Sequence, residues 1–477
     1  MKDLLNYLKS SIEKDWLYCY DRDRGYIRAD NKNYSSILYR HTEQKLEQIL
    51  DLTGRNSRRL AVFIVDRDFD FISSFLAGVI AEVDLFICDP TWQQQEWQQV
   101  LNIVKPDVIF GDESVKSLVT QLTTPTVSAR VNVEHPLIMM PTGGTSGKIK
   151  FAIHSWSTLT ASVAGFKEFF DCQTINSWCT LPLYHVSGLM QLMRSLLTGG
   201  NLVICPYKLI SQVQQDRATY FISLVPTQLQ FLLNTNPHWL KGFKTVLVGG
   251  APARRSLLDT ARDNQIAVSL IYGSTETASG VVALKPEDFL TGNTSSGKVL
   301  PHARISIDRT LIIDAELRDS ERAGLITIVS KSLCLGYYPQ LFPSNSLTTD
   351  DLGYIDLKGY LHILGRNSHK IITGGKNVFP TEVEAIIYAT KLVKDVCVLG
   401  IPDRYWGQAV TAVYSLKAND NLNLIKQQIQ LQLAKYKQPK NWIEVDRLPR
   451  NDRGKINYQQ LKAIAIQKLR EERSNYI

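Results

Sequence analysis

The sequence predicts an α/β protein with a large N-terminal region on mostly parallel sheet, a short antiparallel or barrel-like stretch, and a small mixed α and β C-terminal domain. Three observations carry this. From about residue 60 short apolar runs alternate with longer amphipathic ones; after Gly297 the rhythm changes to close-turned β runs; and after Gly365-Arg366 a compact basic segment of about 110 residues runs to the end. Alternating strand and helix signals are what βαβ units on a parallel sheet look like in sequence. At 477 residues the chain has length for two to four domains of roughly 100–200 residues, with room for a large core.

Taken in order, LAVFIVD (60–66) is a strand, followed by the helical FISSFLAGVIAE. LFICD (85–89) precedes a Gln/Trp-rich helical stretch, and DVIFG (107–111), LIMM (137–140), FISL (221–224), TVLVGG (245–250) and SLIYG (269–273) are further strands. ARISIDRTLIID and GLITIVS belong to the barrel or antiparallel sheet, and the last helix is predicted over 458–473. No internal repeat or low-complexity linker separates the parts, so the boundary near 366 is a short hinge dividing 1–366 from 367–477.

Composition narrows the function. With 44% hydrophobic and 21% charged residues the chain is an ordinary globular one. Its best membrane candidate, 71–88, is interrupted by Glu82 and Asp84, so no transmembrane segment is expected. The opening MKDLLNYLKSSIEKDW carries acids among its leucines and does not resemble a secretory signal. Seven widely spaced cysteines give neither a disulfide framework nor a paired zinc motif, which points to a reducing compartment such as a cytoplasm or a plastid stroma. The formal charge of +8 is concentrated in residues 431–477, with eleven Lys/Arg against five Asp/Glu. That tail lacks the signatures of nucleic-acid modules, so phosphorylated small molecules are the expected partners.

Four clusters carry chemistry. Pro141-Thr142-Gly143-Gly144-Thr145-Ser146-Gly147-Lys148 follows a predicted strand and offers amides, hydroxyls and a cation to a polyphosphate; a flexible polar turn is the alternative. It is not a Walker A loop, because Thr142 and Ile149 stand where that pattern needs Gly and Ser/Thr. Tyr272-Gly273-Ser274-Thr275-Glu276-Thr277 ends another strand with an aromatic that can stack a base, a hydroxyl for a phosphate and a carboxylate for Mg²⁺. Nearby in this reading, Gly249-Gly250-Ala251 would let a flat ring approach the backbone, although by itself it is also a plain turn.

In the third cluster Asp351 can accept both hydroxyls of a ribose, with Arg366 completing the contact, while Gly374-Gly375 make a loop that something thin can pass. The Pro380 to Glu384 stretch is equally a good helix start. The fourth cluster, Pro449 to Ile456 with Lys455, is on composition alone a basic surface loop.

In this order the four clusters resemble the acyl-adenylate-forming enzymes, a family that includes acyl-CoA ligases, firefly luciferases and peptide-synthetase adenylation domains. The resemblance runs from about residue 60 to 460. It implies two α/β subdomains plus a β-barrel, and a C-terminal domain that rotates about a hinge at Ser368. It implies ATP and Mg²⁺, with Thr142 to Lys148 on the β- and γ-phosphates, Thr275 on the α-phosphate and Glu276 on the metal. Tyr272, Gly273 and Gly249 to Ala251 would frame the adenine, Asp351 and Arg366 the ribose. Lys455 would bridge the substrate carboxylate and the α-phosphate, and Gly374-Gly375 would line the pantetheine tunnel of coenzyme A. One departure stands out: the family's T-G-D is Thr349-Asp350-Asp351 here. It leaves the role of Asp351 intact and adds a charge whose effect the sequence does not define.

For the acid, LPLYHVSGL (181–189), the short chain and ITGGKNVFPTEVE look most like o-succinylbenzoate–CoA ligases of menaquinone and phylloquinone synthesis. The aspartate by which peptide-synthetase domains anchor an amino group has no counterpart in this region. His185, Ser187 and Gly188 would border the acyl tunnel, His185 as its gate, and Arg194 would anchor the second carboxylate of a dianionic acid; the alternative for Arg194 is snorkelling at a helix end. His154 is expected to be structural. Another aryl- or fatty-acyl-CoA ligase, or an enzyme loading a separate carrier protein, is the competing expectation.

Overall fold

The computed structural model describes residues 2–10, 12–20, 34–54, 59–122, 131, 133–143, 148–210, 216–308, 323–417, 421–450 and 456–474. Two large sheets form the N-terminal part. One has eight strands in the order Leu17–Cys19, Leu202–Ile204, Asn176–Cys179, Tyr220–Leu224, Thr245–Val248, Val268–Ser274, Ser279–Ala283 and Lys298–Val299. It is parallel through Val268–Ser274 and antiparallel beyond. The second has seven strands, in the order Gln340–Leu341, Gly336–Tyr337, Ile149–His154, Ile138–Gly143, Asp84–Ile87, Ala61–Ile64 and Val108–Phe110. Strands such as Ala61–Ile64 and Thr245–Val248 are buried along their whole length, as expected where helices cover both faces of a parallel sheet.

The antiparallel stretch predicted after Gly297 is a four-stranded sheet, Ala303–Asp308, Gly324–Ser330, Leu347–Ile355 and Leu361–Arg366; the LIID segment within 309–322 lies outside the described residues. A five-stranded sheet holding Ile371–Thr373, Lys376–Val378, Val393–Asp403, Gly407–Leu416 and Asn441–Glu444 makes the separate C-terminal domain. The last helix, Tyr458–Ser474, falls where the sequence placed it.

A single turn, Asn367–His369, joins the strand Leu361–Arg366 of the four-stranded sheet to the strand Ile371–Thr373 of the five-stranded one. Across this junction Arg254 donates to the Lys394 carbonyl at 3.2 Å, pairs with Asp395, and lays its guanidinium 3.9 Å over the Tyr388 ring. Arg450 takes the other oxygen of Asp395 at 2.7 Å. All seven cysteines are buried and unpaired. No helix among the described residues is long and apolar enough to cross a membrane.

Candidate active site

Thr275 and Glu276 occupy the four-residue turn that joins Val268–Ser274 to Ser279–Ala283. Every carbonyl of this turn is bonded from outside it. His154 Nε2 donates to Thr275 O at 2.9 Å, the Cys334 amide to Glu276 O at 2.7 Å, Ser332 Oγ to Thr277 O at 2.8 Å and Ser162 Oγ to Ala278 O at 2.7 Å. The backbone is thereby fixed in an uncommon conformation, with Ala278 at φ +48° and Ser279 at φ +87°. Gly273 is needed at its entry, since a Cβ there would come within 1.9 Å of the Ser279 carbonyl.

His154 is therefore more than core filling. It is fully buried, and the Thr275 carbonyl, which can only accept, fixes the ring proton of the neutral imidazole on Nε2, leaving Nδ1 as the acceptor beside Thr158 Oγ1. Burial holds its imidazolium pKa down to about 4, so the ring is neutral. His154, Ser162, Ser332 and Cys334 lie up to 121 residues from the turn they hold, and no spacing in the sequence announces them.

The Glu276 carboxylate is steered by Tyr337, whose hydroxyl donates to Oε1 at 2.7 Å, and by Thr142 Oγ1 at 3.3 Å. Thr142 and Gly143 continue the strand Ile138–Gly143, paired with Lys150 and Ile149 of the antiparallel neighbour. Lys148 is exposed at its far side, while Gly144, Thr145, Ser146 and Gly147 lie outside the described residues. One carboxylate on a turn whose backbone is held in place suits Mg²⁺, which takes one or two protein carboxylates and completes its shell with phosphates and water. Among the described residues no cluster of three metal-ligating side chains exists, and Glu276 is the carboxylate of this turn that could hold such an ion.

Tyr272 and Asp351 come together from different sheets: the Tyr272 hydroxyl donates to Asp351 Oδ2 at 2.9 Å, and Arg366 Nε lies 3.5 Å from Oδ1. Asp351 and Arg366 are directly paired across two strands. Burial first, then the Asp351 charge, pushes the Tyr272 phenol well up, keeping it a donor. Gly249 passes close to the Ile271 carbonyl, 2.9 Å from where a Cβ would stand, and Gly250 adopts φ +78° beside Ala251. Lys455 lies outside the described residues. Gly374 and Gly375 form a two-residue hairpin turn at φ +56° and +76°, the conformation that favours glycine at both positions.

On the other side of the turn lies the helix Val186–Thr198, capped at its end by Gly199 in the left-handed conformation. His185 precedes it, its Nε2 3.9 Å from Asp89, with Ser187 in the first turn. Gly188 sits against Pro182, where a Cβ would meet the carbonyl at 2.1 Å.

Arg194 does not snorkel. It is 5% exposed, donates from Nη2 to Ser279 Oγ at 3.2 Å, and packs 4.0 Å over the Phe166 ring, with no polar partner for its buried Nε. No carboxylate among the described residues pairs with it, and burial lowers its pKa to about 10. His302, which the sequence did not single out, is buried on Gly165 with both ring nitrogens unpartnered. Burial, then the Arg194 charge, brings its pKa down to about 4.

Fold and site define an AMP-forming acid–thiol ligase. The chain belongs to the AMP-binding enzyme family: residues 49–338 match the AMP-binding enzyme and residues 382–455 its C-terminal domain. Among similar proteins, the 2-succinylbenzoate–CoA ligase of Oceanobacillus iheyensis is 31% identical over 69% of this chain and 70% of its own. That of Bacillus subtilis is 30% identical over 79% and 77%. The structure of o-succinylbenzoate CoA synthetase from Bacillus subtilis with the acyl-adenylate intermediate has a TM-score of 0.79 at 24% identity, covering 96% of this chain and 98% of that one. The same enzyme has been solved with ATP and a magnesium ion.

Proposed function

We propose that this acyl-CoA ligase activates o-succinylbenzoate, an acid with a second, aromatic carboxylate, and transfers it to coenzyme A. One observation carries the choice of substrate: Arg194, a buried guanidinium with an idle Nε and, among the described residues, no acid beside it. An unpaired buried cation is costly, and an anion that enters with the substrate removes the cost. A fatty acid would leave Arg194 uncompensated opposite its tail, whereas a dianion satisfies it. The names of the relatives agree with this chemistry.

A carboxylate becomes an electrophile only once it carries a leaving group. The succinyl carboxylate attacks the α-phosphate of ATP, pyrophosphate leaves, and the thiolate of coenzyme A then displaces AMP from the acyl-adenylate. In this reading Thr142 to Lys148 and Thr275 hold the phosphates, Tyr272 and Gly249 to Ala251 the adenine, and Asp351 with Arg366 the ribose. Glu276 would hold Mg²⁺, which offsets phosphate charge when bound. Lys455 meets the charge that develops between the carboxylate and the α-phosphate. The domains divide at 366/367, and rotation at Ser368 exchanges Lys455 for Gly374-Gly375 between the two steps.

The test is pyrophosphate release by the purified protein with ATP, Mg²⁺ and coenzyme A, across o-succinylbenzoate, benzoate, 4-coumarate, a medium-chain fatty acid and the amino acids. Release confined to o-succinylbenzoate is expected. Equal or faster release with a monocarboxylate keeps the adenylation chemistry and removes the substrate assignment.

A further inference from the structure

The connector between the domains carries a contact that the usual T-G-D pattern has no side chain to make. Arg366 ends the strand Leu361–Arg366, Asn367–His369 form one turn, and Ile371–Thr373 opens the C-terminal sheet, so any rotation between the domains is taken up by a few backbone dihedrals around Ser368. Asp350, on the strand Leu347–Ile355, binds both polar groups of this residue. The Ser368 amide donates to Oδ1 at 3.1 Å and the Ser368 hydroxyl donates to Oδ2. Successive side chains on a strand point to opposite faces. Asp351 therefore turns to Tyr272 and Arg366 while Asp350 turns to the connector, which spends the extra charge away from the proposed ribose site.

We propose that Asp350 is a positioning residue that latches the connector at Ser368, holding the arrangement in which the acid is adenylated and slowing departure toward thioester formation. The proposal rests on the two-step reading above. In the arrangement observed, Gly374 and Gly375 are exposed; a Cβ on Gly375 would meet nothing within 4 Å, and one on Gly374 only the ring of Trp406. This is the side of the cycle on which the glycine pair is not engaged.

Other contacts also cross the junction, such as Thr381 Oγ1 to the Leu364 carbonyl at 2.6 Å and Arg254 to Asp395, but they do not touch Ser368 itself. Asp350 grips the amide and the hydroxyl together, so turning the Ser368 backbone breaks both bonds at once. Both residues are exposed, which keeps the latch weak enough to open in every cycle. Two solvent-facing hydrogen bonds to a carboxylate shift an equilibrium by roughly 3- to 10-fold.

The test uses the full-length protein with Asp350→Gly, Asp350→Asn and Ser368→Ala. Three rates are read: ATP–pyrophosphate exchange with the acid and no coenzyme A, single-turnover conversion of preformed acyl-adenylate by coenzyme A, and trypsin cleavage at Arg366 and Lys370 followed by mass spectrometry. Asp350→Gly should leave exchange within about twofold while the coenzyme A step and the cleavage each rise roughly 3- to 10-fold. Asp350→Asn, which keeps an acceptor without charge, should fall between. Ser368→Ala loses one bond of the two, should do less than Asp350→Gly, and should add nothing in its background.

An Asp350→Gly enzyme that exchanges pyrophosphate normally but shows neither faster thioester formation nor faster cleavage overturns the latch. A wild-type protein that exchanges pyrophosphate with none of the acids removes the adenylation reading instead, and the proposal with it.

Discussion

The two ends of the proposed site differ in how far their charges are already answered. At the nucleotide end Asp351 is met by Tyr272 and Arg366, Glu276 by Tyr337 and Thr142, and all four carbonyls of the 275–278 turn are bonded. At the acyl end Arg194 and His302 are buried with idle nitrogens and, among the described residues, no acid between them. Groups that must aim at a fixed, shared ligand are preorganised, because reorganising them during the reaction would raise the barrier. In the proposed reading the group that selects the acid is the one left incomplete, and its deficit calls for an anion.

The largest expected effect breaks the nucleotide end. Lys455→Ala should slow adenylation by roughly 10²- to 10³-fold or more, because an aimed cation acts on the transition state. Thioester formation from preformed acyl-adenylate should lose far less, and a rapid-quench comparison of the two steps separates them. Equal loss in both steps would assign Lys455 to general binding.

At the acyl end, Arg194→Met should lower kcat/KM for o-succinylbenzoate by about 10²- to 10³-fold, in line with truncating one partner of a buried charge pair. The same change should leave thermal stability equal or higher by about 1 kcal/mol, since it deletes an uncompensated buried charge in favour of a side chain of similar volume. A variant that loses activity and stability together would point to a structural role for the arginine. Addition of o-succinylbenzoate should raise the melting temperature of the wild type and not of Arg194→Met.

His154 sharpens the contrast more finely. His154→Ala frees the Thr275 carbonyl and should cut kcat for adenylation by roughly 10-fold, the size expected for a modest misplacement of the turn. His154→Gln, which still presents an N–H, should recover part of it. The ring also makes stability depend on pH. Folded His154 is held to about 4 against 6.5 for an ordinary histidine, chiefly by burial, so it favours the deprotonated form. Its contribution is complete above pH 6.5 and fades as pH falls through 4, about 3 kcal/mol in all. Chemical denaturation across that window should show a flatter profile for His154→Gln than for the wild type.

The same contrast explains what was legible in the sequence. Buried parallel strands are continuous apolar runs, so Ala61–Ile64, Asp84–Ile87, Tyr220–Leu224 and Thr245–Val248 were readable, whereas the three-residue Leu17–Cys19, stitched to the sheet edge beside Leu202–Ile204, was not. The division into two large sheets followed from resemblance and not from periodicity, because strand order is a matter of tertiary pairing. Thr142, Glu276, Tyr272, Asp351 and Arg366 stood in compact motifs. Their supports His154, Ser162, Ser332 and Tyr337 come from distant segments and carry no motif of their own. Arg194 was visible as a cation on a helix, but its lack of an acid partner among the described residues, and the presence of His302 near it, needed packing to be seen. Asp350 was visible only as a departure; strand alternation and the proximity of Ser368 give it a task.

The claim that the unpaired guanidinium selects a dianion is tested most directly by one ratio. We would measure kcat/KM for o-succinylbenzoate and for 4-oxo-4-phenylbutanoate, the same acid without its aromatic carboxylate, in the wild type and in Arg194→Met. The wild type should favour o-succinylbenzoate by about 10²- to 10³-fold, and the preference should collapse toward unity in the variant. A wild type that uses both acids equally well, or a preference that survives the loss of Arg194, would contradict the account.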